Sequence, residues 1–183
     1  SSHVQLVLKP QDGAKESLLG AGQEIVLDET ISHGPFPGAQ LARFNLIPSM
    51  ASINTVLVNN ATTKPVFDLT KGLSPVTINT RISYSGATTS TVDLVPVDYD
   101  KTPYKVAFAG GSLEISTDST GDAISTNGAL GRIQVESVNE YNQKVGISLN
   151  GLKTSGETHL SKFAERIGEQ RVAVDNAVLS VEG

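Results

Sequence analysis

The sequence predicts an all-β protein, an Ig-like or jelly-roll-type β-sandwich with one short helix near the C-terminus. Three observations carry that prediction. Apolar and β-branched residues recur with a period of two, as where Val76, Ile78, Thr80, Ile82 and Tyr84 alternate with Thr77, Asn79, Arg81 and Ser83. Successive side chains of a strand point to opposite faces, so such a run is a half-buried strand. Turn-forming pairs punctuate these runs, and only one window has a convincing helical spacing.

Residues 1–12 read as an N-terminal strand or arm, with Val4, Leu6 and Leu8 on one face, Gln5 and Val7 on the other, and Pro10 and the Asp12-Gly13 turn at its end. Residues 13–183 then form a single sandwich domain. Strand candidates follow at 24–27 and 42–47. Between them, the Pro- and Gly-rich stretch 33–38 must be a loop, because proline lacks a donor and the residue before it avoids the helical region. Residues 53–58, 66–69, 92–95 and 104–108 supply further short strands. Leu113 and Ile115 flank Glu114, Ile133 and Val135 lie between Arg132 and Glu136, and Val145, Ile147 and Leu149 alternate with small or polar residues. Residues 116–131 are polar and Gly-spaced, which predicts an exposed connection. Asn127-Gly128 and Asn150-Gly151 tolerate positive φ and are predicted tight turns. In 158–167, Leu160, Phe163, Ala164 and Ile167 fall at helical spacing, with Thr158 placed to cap the helix and Gly168 to stop it. So short a helix must rest on a sheet. Residues 172–181 make the closing strand, and about ten strands suit a sandwich or barrel.

Composition narrows the function. Against 14 Lys and Arg stand 19 Asp and Glu, and a net charge of -5 without basic runs predicts no nucleic-acid partner. No stretch approaches the roughly 18 apolar residues that cross a bilayer as a helix, so no membrane insertion is expected. The absence of Cys removes disulfides and thiolate sites together. The chain begins at Ser1, which fits either signal-peptide cleavage or loss of an initiator Met.

No catalytic constellation emerges, and the chain reads as a non-enzyme without a cofactor. His3, His33 and His159 are far apart and lack the close pair spacing of a zinc site. No Gly-x-Ser-x-Gly elbow and no phosphate-binding glycine motif occurs. Asp118 and Asp122 are a weak calcium candidate, since a calcium ion wants more oxygen ligands than these two carboxylates supply; a solvated hairpin tip is the plainer reading. Asp98 and Asp100 share one face if extended, and the flanking Pro96 and Pro103 mark them as a strand end or loop. Asn60-Ala61-Thr62 is a formal glycosylation sequon.

Residues 59–69 (Asn59-Asn60-Ala61-Thr62-Thr63-Lys64-Pro65-Val66-Phe67-Asp68-Leu69) followed by Ile82-Ser83-Tyr84-Ser85-Gly86 resemble part of the major subunits of colonisation-factor chaperone-usher fimbriae. The resemblance implies an incomplete Ig-like pilin whose donor strand, with Val4, Leu6 and Leu8, inserts into the next subunit. It also implies a periplasmic chaperone and an usher as partners. The C-terminal region departs from the pilin pattern, with a helix at 158–168 and no aromatic near the end of 175–181. The resulting expectation is an extracellular, homopolymeric structural subunit of a fimbria or pilus, joined to copies of itself by strand donation. A virion protein (capsid, decoration or tail-tube subunit) is the alternative. A carbohydrate-binding or adhesin domain is the third, disfavoured because Trp is absent and only four Tyr could form sugar platforms.

Overall fold

A computed structural model describes residues 1–9, 23–36 and 47–182; most of the strand candidate at 42–47 and the Asp12-Gly13 turn lie outside the described residues. In chain order the elements are β1 (Ser2–Leu8), β2 (Ile25–His33), β3 (Ala51–Leu57), the helix α1 (Lys64–Leu69), β4 (Val76–Ile82), β5 (Thr88–Leu94) and β6 (Val97–Lys101). They continue with β7 (Tyr104–Phe108), β8 (Gly111–Thr117), β9 (Ala123–Leu130), β10 (Ile133–Val138), β11 (Lys144–Leu160) and β12 (Arg166–Glu182). The protein is all-β, as the alternation predicts. Its strands form one open 12-stranded antiparallel sheet, where the sequence suggested two facing sheets.

The sheet is a meander of long strands, several of them interrupted. Leu94 pairs with Gly111 and, three residues on, Val97 pairs with Phe108, so β5 and β6 continue in one register beside β8 and β7. The same holds for β9 and β10, which lie end to end along one side of β11 while β12 runs along the other. The interruptions line up as a crease through Val95-Pro96, Ala109-Gly110, Gly131-Arg132 and Asn150-Gly151. Pro96 cannot donate to a ladder. Gly110 and Gly151 have φ of 82° and 65°, values that suit glycine. Two bonds hold the crease closed: the Ala109 amide donates to the Arg132 carbonyl (2.9 Å) and the Gly131 amide to the Gly110 carbonyl (2.7 Å).

The main contacts between described elements are those of ladder neighbours, with α1 lying against β6. No second layer covers the sheet among these residues. The accessible surface is 12026 Å² for 19.2 kDa, against about 8,400 Å² for a compact monomer of that mass. The only apolar side chains buried among the described residues are Val26, Ala51 and Phe67. Among the described residues these three mark a small core, with Val26 in β2, Ala51 in β3 and Phe67 in α1.

Four local expectations are corrected. Residues 158–168 form no helix: Thr158 pairs with Gly168 and Leu160 with Arg166 at the end of a hairpin whose strands are each 17 residues long. A long ladder outweighs a short helix with a costly nucleus. Its turn is closed by the Ser161 amide donating to the Glu165 carbonyl (2.7 Å) and by the Ser161 hydroxyl, which accepts from the Phe163 and Glu165 amides. The helix instead spans Lys64–Leu69, where a strand was expected at 66–69. Pro65 sits in its first turn, where the missing donor costs nothing. The Asn60 side chain accepts from the Thr62 and Thr63 amides just before it, and Lys64 pairs with Asp68 at 2.8 Å. Residues 116–131 are mostly strand, with Asn127-Gly128 inside β9. Asn150-Gly151 lies inside β11 and makes a kink, not a hairpin turn.

Candidate apolar ligand-binding face

The ladder registers collect aliphatic residues onto one side of the sheet. Leu6 faces Leu27, which faces Leu57. Beyond the next ladder, Val76, Leu94, Gly111, Leu130, Leu152 and Val174 follow as successive partners. This row crosses nine strands, from β1 to β12, and its eight spacings span about 38 Å at normal strand separation. A second row beside it carries Ile78, Val92, Leu113 and Gly128. A third carries Ile31, Ile53, Thr80, Ser90 and Ile115.

These rows hold no aromatic residue, and their polar groups bond sideways within the sheet. Thr80 shares a hydrogen bond with Ser90 (2.8 Å), Thr88 with Thr117 (2.8 Å), and Thr55 donates to Glu29 (3.1 Å). Arg166, at the far edge, donates to the Gly121 and Asp122 carbonyls and to Thr158. What remains outward is alkyl surface. Glycines keep it smooth, since a Cβ on Gly128 would stand 2.8 Å from Leu113 Cδ1 and one on Gly111 2.7 Å from Leu130 Cδ2.

The opposite side carries Asp28, Asn54, Asn79, Arg81, Thr91, Glu114, Asn127, Lys153 and Glu157 at the alternate positions. In β8 and β9 the aliphatic side is half-buried (Leu113, Ile115, Ile124, Leu130) while Glu114, Ser125 and Asn127 are exposed. In β4 and β5 both sides are half-buried, and in β1 and β12 both are exposed. Across the crease the apolar positions shift by one, to Val97, Phe108, Ile133, Leu149 and Ala177 in one row and Tyr99, Val106, Val135, Ile147 and Leu179 in the next.

At the crease, beneath the end of α1, lies a cleft of about 730 Å³, lined chiefly by Leu69, Leu73, Val95, Val97, Phe108 and Ala109, with Lys71, Asp98, Arg132 and Gln134 also in its wall. Along the strands it adjoins the first row, since Val95 follows Leu94 and Ala109 lies two residues before Gly111. The Val95 amide donates to the Pro75 carbonyl (3.1 Å), which ties the cleft's wall to the start of β4.

The residues singled out from sequence are scattered. Val4, Leu6 and Leu8 lie in β1, paired with β2 of the same chain, and Leu6 opens the first aliphatic row. Asp118 and Asp122 flank the β8–β9 turn. Desolvation opposes ionisation of Asp118, but hydrogen bonds from the Ala123 amide, the Thr120 hydroxyl and the Gly121 and Asp122 amides outweigh it and hold the carboxyl below its ordinary range. No group of three or more His, Asp or Glu residues able to hold a metal exists among the described residues. His3 meets Thr30 (3.3 Å), and His33 and His159 sit at a strand end and on the polar side of β11. Asp100 lies in β6 beside Lys105 (3.2 Å), and its hydrogen bond and charge raise the lysine's pKa. Sequence reasoning missed the aliphatic rows as a unit. Each strand's alternation signals its own share, and only register assembles them.

Among known families, the chain matches over residues 1–183 the one described as bacterial protein of unknown function, DUF945. The chain belongs to that family. It is 46% identical to "Protein YdgA" of Escherichia coli strain K12 over 183 residues, all of this chain and 36% of that protein. It is 30% identical over 134 residues, 73% of this chain and 27% of the relative, to "Uncharacterized protein YihF" of the same strain. The DUF945 chain thus spans about a third of the length of these relatives. No solved structure matches it significantly. Membership of DUF945 overturns the pilin resemblance: residues 59–69, on which it leaned, contain a helix, and the motif's Asn, Thr and alternating apolar residues are common to strand-rich proteins. The donor-strand, chaperone and usher expectations lose that support. No helix of the described residues is long and apolar enough to cross a membrane.

Proposed function

We propose that this DUF945 segment is a non-catalytic binding module whose aliphatic face receives acyl chains. One observation carries the reading: a row of Leu and Val side chains crosses the whole width of the sheet without an aromatic or charged residue, and no described element covers it. Monomers rarely leave an apolar surface of that extent in water unless it meets something. Self-bonded hydroxyls favour a ligand that asks for no directional hydrogen bonds, and aromatic-free walls disfavour sugars and planar rings. Extended alkyl chains meet both conditions.

The test is binding of a fluorescent polyene fatty acid to the wild-type chain, Leu113→Asp, Leu130→Asp and Glu114→Gln. Saturable emission that the two aspartate variants abolish and the polar-face variant retains is the expected result. No binding by the folded wild type, or equal binding by all four, would refute it.

A second reading is association of copies edge to edge. It is favoured by β12, a 17-residue strand exposed along its whole length with no partner beyond β11 among the described residues. Unpaired edges of that length template further pairing. Light scattering that shows the same mass at every concentration would dismiss this reading.

A further inference from the structure

The cleft at the crease differs from the open rows in enclosing volume and in carrying charge. Its 730 Å³ falls in the range of small-molecule sites, and its walls are mainly aliphatic with one aromatic, Phe108. Two cations, Lys71 and Arg132, stand in its lining against one carboxylate, Asp98. Neither cation is ion-paired among the described residues. A locally positive lining runs against the chain's overall charge of -5. Lys71 is also held at φ 57°, a conformation uncommon for a residue with a side chain, by the turn that closes α1, in which the Gly72 amide donates to the Phe67 carbonyl (2.8 Å). Arg132 lines the same cleft, its carbonyl accepting from the Ala109 amide.

We infer that this cleft is the head-group site of an amphiphile with a single anionic head, a carboxylate or phosphate, held by Arg132 and Lys71 while the chain runs over Phe108 and Val95 toward the Leu94 row. This rests on the acyl-chain reading of the aliphatic face. Arginine presents a planar fork suited to either oxyanion, and lysine adds a point charge. Asp98 disfavours a second negative charge and so sets the preference for a singly charged head.

The chain contains no Trp, so one introduced Trp is an unambiguous reporter. Leu73 lines the cleft yet is 62% exposed, which makes Leu73→Trp a mild change. Quenching of Leu73→Trp is measured with a bromine-labelled fatty acid, with its neutral methyl ester, and with vesicles of brominated phosphatidylglycerol or phosphatidylcholine. A parallel titration uses Leu113→Trp, on the open face. The inference expects saturable quenching at residue 73 by the acid, weakened about tenfold by Arg132→Glu or Lys71→Glu, with the ester unaffected. Arg132→Lys should recover part of the loss, and circular dichroism should show the same β content in every variant. Quenching by the free acid alone identifies a fatty acid as source, quenching by phosphatidylglycerol but not phosphatidylcholine identifies a membrane lipid, and either upholds the site. Quenching at residue 113 without quenching at 73, or charge variants that bind the acid as tightly as the parent, overturns the cleft and leaves the aliphatic face standing. Quenching at neither residue overturns both.

Discussion

Leu113 lies directly across from Gly128, its Cδ1 2.8 Å from where a Cβ on residue 128 would stand. The Ser112 carbonyl is 2.9 Å from the same point, so neither a side-chain rotation nor a small shift makes room. Gly128→Ala should therefore destabilise the sheet by about 1–3 kcal/mol, the usual cost of overpacking. Ser125→Ala, in the same strand on the exposed side, should be near neutral. Urea unfolding of the two variants checks the difference, and equal midpoints would contradict the close approach.

The two faces of β4 can be compared directly. Ile78 pairs with Val92 and Ile82 with Thr88 on the aliphatic side, while Arg81 stands on the polar side opposite Thr89. Ile78→Asp and Ile82→Asp should each cost about 1–3 kcal/mol, short of a deeply buried charge because this face is only half-buried. Arg81→Asp should change the unfolding free energy by less than about 0.5 kcal/mol. Three equal effects would reverse the assignment of faces.

Gly151 and Asp175 couple across the crease. A Cβ on residue 151 would collide with the Asp175 carboxyl group, which is itself held by Lys153 at 3.0 Å, and φ 65° is unfavourable for any side chain. Gly151→Ala should lose about 1–2 kcal/mol from the backbone and more from the collision. In the double variant Gly151→Ala, Asp175→Gly the collision part should return and the backbone part remain. A double-mutant cycle measures this, and strict additivity would show that the two residues do not meet.

Acid should loosen the β8–β9 turn first. Asp118 has its pKa lowered by the amides of the folded turn, so its ionised form favours the folded state. That contribution is fully present above the unfolded aspartate value of about 3.9 and is lost as pH falls through the lower folded value. Protection of the Gly121 and Ala123 amides, measured against their intrinsic exchange rates, should fall through that interval in the wild type, and Asp118→Asn should remove this pH dependence of protection. An unchanged profile in the variant would show that the turn does not depend on this carboxylate.

Alternation within Val76–Ile82, Tyr104–Phe108 and residues 145–149 was legible in the sequence because it depends on neighbours two residues apart along one chain. The all-β class followed from it. Residues 158–168 were misread because Leu160, Phe163, Ala164 and Ile167 satisfy a helical spacing too, and the choice was made by strands pairing over their full length, with Lys144 reaching Glu182. Lys64–Leu69 went the other way: its apolar run fits a strand, but Pro65 and the Asn60 turn suit a helix start. Asn127-Gly128 and Asn150-Gly151 carry turn chemistry yet lie inside strands, one opposite Leu113 and the other at the crease. The sequence determined which residues of each strand are aliphatic. Only the tertiary structure decided that Leu94, Leu130 and Leu152 form one row and that Lys71 and Arg132 share a cleft, because register joins residues tens of positions apart and no local spacing encodes it.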